Sequence, residues 1–150
     1  MLTVDQAQQK LIESISPLAN TKTVALSNAL NRVIARTYHA GMNVPLVDNS
    51  AMDGFAVNTA DISAIPITLP LSQRIVTGHV PAPLQAGTAA RIFTGAQIPE
   101  NSNAVVIQEN CVTGPDSKVT IKVPVMEWDN VRRAGLDIEQ GSVLFYQGQL

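Results

Sequence analysis

Charge is scarce in this 150-residue chain: Asp, Glu, Lys and Arg make up 15% of it, against roughly 25% in soluble domains at large. Neither sign dominates, since 10 Lys and Arg face 12 Asp and Glu for a formal net charge of −2. That excludes a protein that holds nucleic acid by a basic excess. Aromatic residues are 4%, too few for a base-stacking platform, so any core must be built from Val, Ile, Leu and Ala. The single cysteine, Cys111, rules out an intrachain disulfide and any multi-thiolate metal site. It points to a reducing compartment, with the cytoplasm as the expected location and a packed or half-buried thiol as its expected state. His39 and His79 stand alone, without an HxxxH or HxH pair to hold a metal. No apolar run approaches the ~18–20 residues of a membrane helix, and the first residues lack the pattern of a signal peptide. A soluble chain with no membrane partner is expected.

The local signals divide the chain. Thr3, Val4, Asp5 and Gln6 predict a capping box at a helix start. Val4, Ala7, Leu11, Ile15 and Leu18 then recur at intervals of three and four, an apolar stripe on a helix that Pro17 brings to a close. Ser27 is placed to cap a second, shorter helix to about Arg32, and Val33–His39 reads as a strand. From Pro45 onward, prolines punctuate short β-rich runs. The expected strands are Phe55–Asn58, Ile65–Leu71, Arg74–Gly78, Ala89–Thr94, Ala104–Glu109, Lys118–Val123 and, near the end, Ser142–Tyr146. Val119, Ile121 and Val123 alternate with Lys118, Thr120 and Lys122, as in a strand with one wet face. Pro66 and Pro70 demote their strand to an edge, because proline lacks the ladder donor. The expected class is α+β. A β-rich domain over 45–137, with short Pro-punctuated strands, is inserted into a small helical unit made of 1–44 and 138–150. The segments Arg74-Ile75-Val76-Thr77-Gly78 and Arg91-Ile92-Phe93-Thr94-Gly95 share R-I-x-T-G, and one match does not make a repeat.

Candidate chemistry lies in three loops. Asp48-Asn49-Ser50-Ala51-Met52-Asp53-Gly54-Phe55 packs two carboxylates, an amide and a hydroxyl ahead of a strand, where a polar loop on a rigid sheet can act or can simply turn. Thr94-Gly95-Ala96 sets a hydroxyl beside backbone amides that suit an oxyanion or a metal-bound water. Arg132 and Arg133 can clamp a phosphate, with one of the two turned inward, or form a solvated turn paired with Asp137. Glu109 ends an apolar run and reads as a solvated or domain-edge carboxylate. Neither G-x-x-x-x-G-K-[ST] nor G-x-G-x-x-G occurs.

Taken in order, the 48–57 loop, Arg91-Ile92-Phe93-Thr94-Gly95-Ala96 with Pro99-Glu100, Ala104-Val105-Val106 with Gln108-Glu109, and Asn130-Val131-Arg132-Arg133-Ala134-Gly135 with Asp137-Ile138 closely resemble the molybdopterin molybdenumtransferases. This is the MoeA family, to which the E domain of gephyrin belongs. The resemblance implies an enzyme of molybdenum cofactor biosynthesis that transfers molybdenum from molybdate to adenylylated molybdopterin with the help of Mg2+. It implies a homodimer supplied by an upstream enzyme of the molybdopterin adenylyltransferase type. It selects Asp53, Thr94 and Arg132 as catalytic, with Asp53 also the metal ligand and Ser50, Gly95 and Arg133 as cofactor-binding positions. Leu136 stands where the family usually has a glutamate, and Ala134 where a third basic residue is common. The family continues into a pterin-binding domain, so this chain is expected to be an N-terminal part, inactive alone; the alternative is a stand-alone dimerisation or binding module.

Overall fold

The computed structural model describes every residue except Met1, Pro17, Ala19 and Pro115. One helix, α1 (Val4–Glu13), precedes ten strands: β1 (Tyr38–His39), β2 (Asn49–Ser50), β3 (Gly54–Val57), β4 (Ile67–Ile75), β5 (Ala89–Ile92), β6 (Ala104–Ile107), β7 (Cys111–Thr113), β8 (Lys118–Ile121), β9 (Val131–Arg132) and β10 (Val143–Phe145). The described chain is therefore mostly β. No helix in it is long and apolar enough to cross a membrane.

Contacts divide the chain into 1–38 with 144–150, and 39–143. These cuts lie six residues from the expected 44/45 and 137/138, with the same discontinuous first unit. Residues near 40–44 and 138–142 hold one another inside the β-rich unit: Val44 N–H donates to Ile138 O at 2.8 Å, Gln140 N–H to Asn43 Oδ1 at 2.7 Å and Ala40 N–H to Ser142 O at 2.8 Å.

In the first unit the capping box forms as the sequence predicts, with Gln6 N–H on Thr3 Oγ1 and Thr3 N–H on Gln6 Oε1. The helix is shorter than expected. Ser14 ends it by sharing its N–H among the carbonyls of Lys10, Leu11 and Ile12 while its hydroxyl takes Leu11 O; Pro17, the expected stop, lies outside the described residues. The apolar stripe is exposed, with Leu11 at 66% and Ile15 at 72%. The second expected helix shrinks to a 3-10 turn at Leu26–Asn28, because Ala25 at its start offers no side-chain acceptor and Asn31 adopts a positive φ. Of Val33–His39 only β1 is strand. Ile34 exchanges both backbone hydrogen bonds with Gly148 and Gln149, a single rung.

The second unit holds a six-stranded mixed sheet in the order β6-β3-β5-β4-β8-β7, with β4 and β5 parallel and the other neighbours antiparallel. Its two edge strands are consecutive in sequence, joined by a 3-10 turn at Gln108–Asn110. Laid flat, six strands would put those edges about 24 Å apart, but the link from Ile107 to Cys111 reaches about 14 Å at most. The sheet must therefore curl toward a half-barrel. Phe55, Val57, Leu69, Ala89, Val106, Val119 and Ile121 fill one face, with Cys111 packed against them, while Ala56, Ile75, Ala90, Ile92, Ala96, Ile98 and Val105 fill the other. β3 is buried throughout, which is why its sequence shows no alternation.

Two expected strands, Ile65–Leu71 and Arg74–Gly78, are one internal strand, not an edge. β4 pairs with β8 through Ile67–Pro70 and with β5 from Leu71 on, so Pro70 sits where partners change and its missing donor breaks neither ladder. The two R-I-x-T-G segments lie side by side in that parallel pair, Arg74 opposite Arg91 and Ile75 opposite Ile92. Thr77 Oγ1 donates to Thr94 O at 2.9 Å, and Gly78 and Gly95 both leave with positive φ. Strands β2, β7 and β9, of two or three residues, carry no periodic signal.

Cys111 is half-buried, and burial pushes its thiol up to about 11 against the pull of Arg91. Its alkylation at pH 8 is expected to run about a hundredfold slower than that of an exposed thiol, measured in the native chain against the urea-unfolded one; equal rates would contradict the burial.

Candidate functional site

Strand β2 is the hub. Its Asn49 lies opposite Arg132 and its Ser50 opposite Val131 of β9, while Asn49 also bridges to Gln97. Ser50 O accepts from Gly95 N–H at 2.8 Å, and Ser50 N–H donates to Ala96 O at 2.9 Å. The 48–53, 94–97 and 130–133 loops are thus sewn to one short strand. Ala96, Ile98 and Val131 anchor them on the core beneath.

Asp53 and Thr94 meet directly. Asp53 Oδ1 accepts the backbone N–H of Thr94 at 2.8 Å and its hydroxyl at 2.7 Å. The backbone bond first and the hydroxyl second hold the Asp53 carboxyl below its ordinary 3.8, against a desolvation cost that exceeds the further help of the Arg91 charge. Oδ2 receives no hydrogen bond from the described residues. The next residue, Gly54, has no space for a side chain, since a Cβ would collide with the Val106 carbonyl. Glycine here sets the close approach of β3 to β6 that aims Asp53.

Because the folded state lowers this pKa, the ionised carboxylate adds stability above about pH 3.8, and that stability is lost as pH falls toward the lowered value. In Thr94→Val the backbone donor stays and the hydroxyl goes. The Asp53 titration followed by carboxyl 13C NMR is expected to move up yet stay below 3.8, narrowing the pH window of loss from its acid end. No movement would mean that the hydroxyl does not hold the carboxylate.

The two arginines separate. Arg133 stacks on the Trp128 ring at 3.6 Å and pairs through Nε with Asp48 Oδ2 at 3.0 Å, while Asp48 Oδ1 accepts Ala134 N–H. Among the described residues Arg132 pairs only with Asp137, at 2.7 Å, with side chains 47% and 50% exposed. Val131 takes the inward place, so neither arginine points into the core as one was expected to. Ser50 is fully buried, and its hydroxyl closes on Met52 O while accepting Met52 N–H. The Gly95 N–H is likewise held by Ser50 O, so both positions shape the loop from within. Glu109 accepts the Gln108 amide, and His39 bonds Gly141 O.

The sequence did not single out Asn49 beyond its loop. Its Oδ1 is buried without a hydrogen-bond partner among the described residues, and it lines a shallow cavity of about 260 Å³ with Gly95, Gln97, His79 and Val80. No group of three or more His, Cys, Asp or Glu side chains able to hold a metal occurs among the described residues. What the loops offer is the second oxygen of Asp53, the Thr94 hydroxyl that holds the first, and the half-exposed Arg132 guanidinium.

A family model for the MoeA N-terminal region (domain I and II) matches residues 2–150. The chain belongs to the MoeA family. It is 37% identical over 152 residues to a molybdopterin molybdenumtransferase of Haemophilus influenzae, covering 99% of this chain and 37% of that protein. It is 33% identical to molybdopterin molybdenumtransferase 2 of Mycobacterium tuberculosis, covering 97% and 37%. The crystal structure of a molybdopterin biosynthesis MoeA protein from Pyrococcus horikoshii matches with a TM-score of 0.86 and 29% identity, over 96% of this chain and 39% of that one. This MoeA chain therefore spans little more than a third of the length of these relatives.

Proposed function

We propose that this chain forms one wall of a cleft in which molybdenum from molybdate is transferred to adenylylated molybdopterin, with Asp53, Thr94 and Arg132 as its contribution. The observation that carries the reading is the Asp53–Thr94 contact, held by β2 on the same loop system as the half-exposed Arg132 guanidinium. A guanidinium neutralises a molybdate or phosphate oxygen, and a hydroxyl and carboxylate orient a hydrated or oxyanionic group. The chain spans little more than a third of the length of its relatives, which suits a half-site completed by the pterin-binding part of the enzyme on the partner of a homodimer. The exposed Leu11 of α1 and Ile15 just after it support an assembly of this kind. The substrate would come from an upstream enzyme of the adenylyltransferase type, in the cytoplasm.

Mg2+ binds through one or two carboxylates and completes its shell with waters and substrate phosphates. The donor set fits only in that sense: Asp53 Oδ2 is its one carboxylate ligand from this wall. When bound, the ion supplies charge neutralisation at phosphate oxygens. Thr94 fixes the Asp53 carboxylate through Oδ1 and leaves Oδ2 facing outward, and Arg132 exchanges Asp137 for the substrate oxyanion.

The test uses a chimera in which residues 1–150 replace the matching segment of the Haemophilus influenzae enzyme. Asp53→Ala is expected to cut molybdenum insertion at least about 100-fold with an unchanged melting curve. Wild-type insertion by the variant would end this reading.

A further inference from the structure

One face of the sheet carries a group of arginines and phenylalanines beside the loops described above. Arg74 and Arg91 are neighbours across the β4–β5 ladder, and Arg91 lies opposite Phe55 of β3. Both guanidinium groups lie against the Phe93 ring, at 4.6 and 4.7 Å, and Arg91 also lies 5.1 Å from the centre of Phe55. Stacking of this kind fixes the plane of a guanidinium and leaves its edge free to donate.

Neither arginine has a carboxylate partner: the two ion pairs among the described residues belong to Arg132 and Arg133. Arg91 spends two of its five N–H groups on neutral acceptors, Gly54 O at 3.0 Å and Gln108 Oε1 at 2.7 Å. Two like charges side by side without an ion pair are only partly compensated, since the Asp53 carboxylate feels the Arg91 charge from beyond ion-pair distance. Arg91 lines an open cavity of about 320 Å³ together with Phe55, Gln108, Cys111 and Thr113, and small ligands bind in concave sites of this kind. The other lining groups are an amide, a hydroxyl and a thiol that burial keeps protonated, none of which repels an anion. Glu109, the acidic neighbour of Gln108, turns one oxygen to the Gln108 amide rather than to Arg91.

We propose that this cavity binds a small tetrahedral oxyanion or phosphoryl group, with the free edge of Arg91 as its principal donor and Arg74 as the second charge. The planar fork of Arg91, held by two rings and two neutral acceptors, gives the two-point grip on a tetrahedral anion that a mobile lysine does not. The site uses none of Asp53, Thr94 or Arg132 and stands or falls apart from molybdenum insertion.

The experiment is a titration of the 15N-labelled chain with inorganic phosphate at constant ionic strength. Saturable shifts are expected at the amides of Arg91, Gln108, Cys111 and Thr113, with a millimolar Kd that Arg91→Gln raises about tenfold or more. Arg74 is exposed and its side chain makes no hydrogen bond among the described residues, so Arg74→Gln folds whether or not Arg91→Gln does. It is expected to raise the Kd about threefold. A parallel titration with glycerol phosphate separates the sources: tighter binding assigns the site to the phosphoryl group of an organic ester, equal binding to the free oxyanion. Shifts that grow without saturation, or a Kd unchanged in Arg74→Gln and in folded Arg91→Gln, would overturn the proposal.

Discussion

Gly54→Ala is expected to destabilise the chain by about 3 kcal/mol, because the added methyl must displace the backbone of β6 rather than a movable side chain. Gly54 pairs with both Ile92 and Ile107, so neither neighbour can retreat without breaking a ladder of the sheet. In urea this corresponds to a midpoint lower by about 1.5 M for a chain of this size. Gly95→Ala provides the contrast. Its φ of +79° strains a side chain, but the nearest atom to the new Cβ is a Thr77 methyl at an ordinary 3.7 Å, so the cost is about 1 kcal/mol. Equal midpoints for the two variants would show that close approach is not what requires glycine at 54.

Arg132→Ala and Arg133→Ala are expected to part in opposite directions in the chimeric enzyme. Arg132 holds only an exposed ion pair with Asp137, so its loss changes stability by less than about 0.5 kcal/mol while molybdenum insertion falls about 100-fold. Arg133 lies on Trp128 and braces Asp48. Its removal costs about 1 kcal/mol of stability and less than about tenfold in insertion. Melting curves and insertion rates on the same two preparations decide the matter, and the reverse order would place the functional guanidinium at 133.

Much of the fold was legible because it rests on local chemistry. The capping box at Thr3 and Gln6 is a contact between residues three apart, and the buried and wet faces of β8 follow from a period of two. The mostly β character follows from short runs between prolines and glycines. The candidate site was legible only as three separate loops, because no local signal says that loops 40 residues apart share a partner. The sequence left the two R-I-x-T-G segments as a single match, whereas the sheet order sets them in register.

What the sequence by itself determined is the family, the α+β class, the capped N-terminal helix and the residue types available for chemistry, each of which is written in contiguous residues. The tertiary structure alone decided which of those residues meet. Strand β2, two residues long, carries no periodicity, yet its ladder to β9 and its bonds to Gly95 and Ala96 assemble the site. The separation of Arg132 from Arg133 depends on Trp128 and Asp48, 5 and 85 residues from Arg133 in the chain. Long-range pairing places such groups, and a window of a few residues holds no trace of it.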